Sequence, residues 1–369
     1  MLKRFLTVSL LLLTTISQAK TLTDIRQRQV VIPDNPQRIV IGEGRMIYTL
    51  ALVEEGNPLK RVVGWPADLQ HFDKQTWNSY VARFPDIARI PIIGQSNFAD
   101  ISVEKVIALH PDVVILPVYA KKLPNQDQLE LQLDQAHIPL VYVDFRVDQL
   151  NNTVPSLRIL GEVLDDQPKA EKFIAFYRQH MAVISDRLKA AAPATPSVML
   201  QLHLGRRAEC CTTVGHGNLA DLITFAGGRN IAAGKFPAVF GQISPEVLIT
   251  ANPDIYLATG MAGPDTPESL QLGPQVSRQS AQQSFVQSLS KDAIISGLPA
   301  VRNGKTYAVW QNLYLSPWHL LVAEFFAKTF HPEIFGDVDP QHTLDEMNRD
   351  FLTVKETGTF WTGVKASPF

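Results

Sequence analysis

Cys210 and Cys211 are the only cysteines of this 369-residue chain, and they stand side by side between His203 and His216. Thiols and imidazoles this close invite two readings, a metal centre or a nucleophile with its base. The spacing suits neither. Adjacent cysteines rarely close on one ion, and the sequence has no CxxC pair, no HExxH helix and no GxSxG turn. A Cys/His enzyme and a dedicated metal-ion receptor stay as alternatives, and a structural role for the cysteines is favoured. His216, flanked by Gly215 and Gly217, is the best single candidate for touching a metal. A second group is basic: Arg45 follows Gly44, and Arg206 and Arg207 precede the cysteines. Guanidinium groups grip anionic oxygens in bidentate fashion, so these three are candidates for a negatively charged ligand. Trp65, Phe98 and Phe240 form a third group, whose rings can bury area and stack against a large ligand.

The elements that must position them are written twice. "ISVEKVIALHPDVVILPV" begins at Ile101, and "ISPEVLITANPDIYLATG" begins at Ile243. In each, a Ser caps a short helix and a Pro-Asp turns the chain into an apolar strand. An earlier unit is doubled as well. "RIVIGEGRMIYTLALVEEG" reads as strand, Gly loop and helix, with Met46, Ile47, Leu50 and Ala51 on one face. "VMLQLHLG…GHGNLADLITFAGG" repeats that order with Leu219, Leu222, Ile223 and Ala226. Alternating strands and helices predict two α/β lobes with parallel sheets. One long helical stretch lies between them, with Leu157, Leu160, Val163, Leu164, Phe173, Phe176, Tyr177 and Ile184 as its apolar side.

Composition agrees with an ordinary folded chain of two domains. Residues are 45% hydrophobic and 19% charged, and a net charge of −2 argues against a nucleic-acid partner. At the start, Lys3 and Arg4 precede an apolar run from Phe5 to Ile16 and small residues ending at Ala19. This is the layout of a secretory signal peptide cut near Ala19, and the run is shorter than a membrane span needs. The expected layout is a leader over 1–19, a first lobe over 20–148, a bridging helix over 149–193 and a second lobe over 194–369.

Taken together, these features resemble the periplasmic substrate-binding proteins of ABC importers for ferric siderophores, haem and cobalamin. The resemblance rests on "RIV" with its Gly loop, "VVG" at 62–64 and "GQSNFADISVEKVIALHPDVVIL". It continues through the helical stretch, "GQISPEVLITANPDIYL", "VRNGKTYAV" and "HPEIFGDVDP". It implies two similar α/β lobes joined by a single long bridging helix, with the ligand between the lobes at the carboxyl ends of the strands. It also implies that Glu104 and Glu246 are exposed acidic knobs that dock on a two-fold permease with its ATPase. Arg45, Trp65, Phe98, Arg206, Arg207, His216 and Phe240 then read as cleft residues. The expected activity is capture without catalysis, by a monomer, of a ferric siderophore or similar large iron chelate in the periplasm. Haem and cobalamin are the alternatives. The haem branch commonly places a Tyr just before the first docking Glu, where this chain has Asn97 and Phe98. No resident cofactor is expected, since iron would arrive inside the chelate.

Overall fold

The apolar runs become strands buried on both faces, the condition under which parallel sheets form. The computed structural model describes residues 19–96, 100–119, 126–206, 210–263 and 266–365. A hairpin of β1 (Ala19–Thr23) and β2 (Gln29–Pro33) precedes the first lobe. That lobe runs β3 (Ile39–Ile41), α1 (Ile47–Val53), β4 (Val62–Pro66), α2 (Asp68–Phe72), α3 (Lys74–Arg83) and β5 (Ile92–Gly94). It ends with α4 (Val103–Ala108), β6 (Val113–Pro117), α5 (Gln126–Gln135) and β7 (Leu140–Val143). Its sheet has the order β5-β4-β3-β6-β7, and every pairing is parallel.

Two helices follow, α6 (Gln149–Leu164) and α7 (Gln167–Ala191). The sequence predicts one helix here, and the structure breaks it at "DDQP". Asp165 turns left-handed with φ 54°, and the Asp166 side chain then accepts from Lys169 N–H to start a new helix with Pro168 in its first turn. The 25-residue α7 is the long bridging element, packed on α1 of the first lobe and on a helix of the second.

The second lobe runs β8 (Ser197–Gln201), β9 (Thr212–Val214), α8 (Asn218–Phe225), β10 (Arg229–Asn230), β11 (Phe240–Gln242), α9 (Pro245–Ala251) and β12 (Ile255–Gly260). It continues with β13 (Gly273–Pro274), α10 (Arg278–Ser290), α11 (Ala293–Gly297), α12 (Pro299–Arg302) and β14 (Thr306–Trp310). It closes with α13 (His319–Phe330), α14 (Pro332–Phe335), α15 (Pro340–Asp350), β15 (Gly358–Thr359) and β16 (Trp361–Gly363). The sheet order is β10-β8-β12-β14-β16, parallel except for the last pair.

The repeated phrase does the same work in both lobes. Ser102 accepts from Lys105 N–H at 3.3 Å and Ser244 from Val247 N–H at 3.4 Å, capping α4 and α9. The Asp of each Pro-Asp reaches back to the strand beside it. Asp112 accepts from the backbone of Gln37 and Arg38, and Asp254 from the backbone and hydroxyl of Ser197. The turn expected from the sequence is therefore also a clamp between neighbouring strands.

The lobes meet around Tyr48. Its hydroxyl donates to Asp73 at 2.6 Å and accepts from Asn312 at 3.3 Å, and its carbonyl accepts from the Trp318 indole. The ring lies edge-on to Trp310, 5.9 Å between centroids. On the bridging helix, the Tyr177 hydroxyl bonds His319 Nε2 at 2.7 Å, and burial pushes that imidazole down to about 4.

Candidate functional site

At the carboxyl ends of the first-lobe strands, five side chains form one ionic cluster around the buried carboxylates of Glu43 and Asp68. Glu43 and Arg45 follow β3, Asp68 follows β4, Tyr119 follows β6 and Arg146 follows β7. Glu43 accepts from Arg146 Nη2 at 2.5 and 2.6 Å and from the Tyr119 hydroxyl at 2.8 Å, and pairs with Arg45 Nη2 at 3.2 Å. Arg45 also donates from Nε to Asp68 at 2.9 Å, while Asp68 takes the Gly44 N–H at 2.5 Å. The Arg146 guanidinium stacks over the Tyr119 ring at 4.3 Å.

Burial and pairing set the charges. Burial alone raises the Glu43 carboxyl, but Arg146 and Arg45 outweigh it and hold it below the usual range. Asp68 has less help: burial, only partly offset by Arg45, raises it to about 6. Arg45 remains a cation because Glu43 and Asp68 overcome its desolvation.

The second lobe presents a different face. A pocket of about 530 Å³ is lined by His203, Thr212, Phe240, Gln242, Gln311 and Tyr314, among others. Phe240 is 50% exposed there. β11 reaches this place by pairing antiparallel with β9, Phe240 opposite Val214. Cys210 and Cys211 are bridged to each other just before β9, and the Cys210 carbonyl accepts from Gln242 Nε2 at 2.6 Å. The two faces are linked. Arg45 Nη1 reaches Asn312 Oδ1 at 3.3 Å, next to Gln311 of the pocket, and Tyr314 lies within the electrostatic reach of Arg146. The arrangement is a charged, preorganised floor opposite an open wall of amides, an imidazole and aromatic rings.

Of the residues predicted from the sequence, Arg45 and Phe240 lie at this site. Arg45 is committed to Glu43 and Asp68, and Phe240 stands in the pocket wall. Trp65 requires correction: it is 1% exposed and packs on Trp77 at 5.6 Å, because β4 points its ring into the core. Arg206 is half-buried and donates to the Met261 carbonyl at 3.1 Å. His216 is exposed, and its Nε2 meets the Pro237 carbonyl at 3.1 Å, away from the pocket lining. Phe98 and Arg207 lie outside the described residues. Glu104 and Glu246 stand exposed in the first turns of α4 and α9. Glu43, Asp68, Tyr119, Arg146, Gln311 and Tyr314 were not anticipated. Their common signal is position: each lies within a few residues of a strand's carboxyl end. Among the described residues, no three or more His, Cys, Asp or Glu converge to hold a metal ion.

Comparison with known proteins places this architecture. The molybdate-binding protein MolA of Haemophilus influenzae is 25% identical over 358 residues, 90% of this chain and 89% of that protein. A vitamin B12-binding protein of Vibrio parahaemolyticus is 27% identical over 46% of the chain and 58% of its own length. Among solved structures, the TroA-like periplasmic binding protein FepB of Veillonella parvula superposes with a TM-score of 0.85 at 26% identity. That match covers 94% of this chain and 99% of that one. The profile described as periplasmic binding protein matches residues 60–312. Two parallel-sheet lobes, one long bridging helix and a cleft at the strand ends are thus those of a solute-binding component of an ABC importer, and the chain belongs to the periplasmic binding protein family.

Proposed function

We propose that this protein captures a ferric siderophore, or a similar large iron chelate, between its lobes and delivers it to an inner-membrane permease without chemical change. One observation carries the choice. The wall opposite the paired guanidiniums is a pocket of about 530 Å³ with a half-exposed Phe240, dimensions suited to an organic ligand with apolar surface. A bare cation would need converging donors of the kind absent among the described residues. Gln242, Gln311 and Tyr314 supply hydrogen bonds for the chelate's oxygens beside the apolar ring of Phe240.

Molybdate is a second reading, favoured by two half-buried arginines and by a MolA likeness over 90% of the chain. Against it, Glu43 and Asp68 already occupy those guanidiniums. Titrating tryptophan fluorescence of residues 20–369 with ferric siderophores, haemin, cobalamin and molybdate separates the readings. Saturation by a ferric chelate, weakened in Phe240→Ala, is expected. Saturation by molybdate, haemin or cobalamin alone would replace the siderophore assignment.

A further inference from the structure

Folding hides large aromatic rings, so the few left in the open carry information. Among the described residues the exposed aromatic side chains are Phe72, at 38%, and Phe240, at 50%. Phe240 stands in the pocket wall of the second lobe. Phe72 belongs to the first lobe, and its neighbours put it beside the cleft. It closes α2, which starts just past the carboxyl end of β4. Asp68 and Phe72 are four residues apart, so they share one face of that short helix. On this face Asp68 accepts from Arg45 Nε at 2.9 Å, and Arg45 Cζ lies over the Phe72 ring, 5.1 Å from its centroid. The same guanidinium reaches Asn312 of the second lobe at 3.3 Å, so the ring sits next to the bridge between the lobes.

The ring is held in place. Leu69 is buried in the core, Asp68 takes the Gly44 N–H, and Arg45 is fixed by Glu43, Asp68 and Asn312. Part of the ring is thus covered by an immobile cation while the rest stays open. A cation on one face draws π density toward itself, which makes the other face a better partner for an electron-rich ring. An aliphatic arm gains only buried area from the same surface. We infer that Phe72 is a ligand-contacting residue that favours chelates whose donors sit on electron-rich aryl rings, of the catecholate kind, over chelates with aliphatic hydroxamate arms. The inference rests on the chelate reading above and narrows it. A guest between the lobes meets one open ring from each side, Phe72 from the first and Phe240 from the second.

The test is equilibrium dialysis of the full chain against a ferric tris-catecholate and, separately, a ferric trihydroxamate. Circular dichroism confirms that each variant is folded. Phe72→Ala is expected to weaken the catecholate at least tenfold and the trihydroxamate less than twofold. Phe72→Leu keeps the bulk that shields Arg45 but has no π face, and should match Phe72→Ala; Phe72→Tyr should stay within threefold of wild type. If Phe72→Leu binds the catecholate like wild type, the ring only shields Arg45 and the inference is wrong. It is equally wrong if Phe72→Ala leaves both affinities unchanged, weakens both alike, or if wild type takes only the trihydroxamate; in each case the chelate reading stands. If wild type binds neither chelate, both are wrong.

Discussion

The first lobe turns a largely buried, internally paired ionic cluster toward the cleft, and the second turns an open pocket. In the first, Glu43 is 4% exposed and is shared by two guanidiniums and a phenol. In the second, a half-exposed Phe240 and neutral amides leave room for a guest. The lobes share the central parallel strands, the capping serines and the clamping aspartates, and they part company in the strand-end residues and in the strands added around the second sheet. A duplicated fold can thus keep its framework while one copy becomes a rigid electrostatic floor and the other a shaped wall.

The largest expected effect is on the floor. Glu43→Gln leaves Arg45 and Arg146 facing each other without their shared carboxylate. It should cost about 3–5 kcal/mol, the range for breaking a buried ion pair, as read by urea denaturation. A cost below about 1 kcal/mol would mean the floor is no more rigid than the wall.

Next comes the seam between the lobes. Glu356 is buried near Asp73 of the first lobe, and burial, then the Asp73 charge, raise its carboxyl to about 8. The folded state keeps a proton that the unfolded chain releases above about 4.5, so this contribution is full at low pH and falls as pH rises toward 8. Stability should drop by about 2 kcal/mol between pH 6 and 8. Glu356→Gln should remove that decline, and an unchanged slope in the variant would assign the titration to another group.

On the wall, Phe240→Ala removes a ring whose remaining exposed surface a ligand would cover. Affinity should fall about tenfold, the equivalent of about 1.4 kcal/mol, with stability changed by less than about 0.5 kcal/mol. An unchanged affinity measured by calorimetry would take Phe240 out of the binding wall. The smallest effect tests the likeness itself. Ser102→Ala and Ser244→Ala each lose one helix cap, worth about 1 kcal/mol. Equal losses in thermal melts support equivalent helices, and a clear inequality would show that the two phrases have diverged energetically.

Much of this frame was legible in the sequence because it is written in local terms. Short apolar runs, Ser caps, Pro-Asp turns and the doubled phrase identified strands, helices and two lobes. What local terms cannot carry is partnership across distant segments. Arg45 reads as a free cation, yet its role is set by Asp68 and Asn312, far along the chain. Trp65 reads as a rim aromatic because nothing nearby in sequence reveals that Trp77 covers it. The helix break had its signal in "DDQP", but the apolar pattern continues across it and hides the interruption. That β11 pairs with β9 and does not extend the sheet beside β10 had no local sign, since Phe240-Gly241-Gln242 resembles Ile93-Gly94-Gln95.

The bridging helix has a mechanical consequence. Its 25 residues span about 37 Å, and it is held at α1 in one lobe and α13 in the other. A strut fixed at both ends stores little elastic energy and cannot spring the jaws apart. The work of prising a guest loose must therefore come from outside the protein, and the strut is the lever arm through which an external machine can apply it.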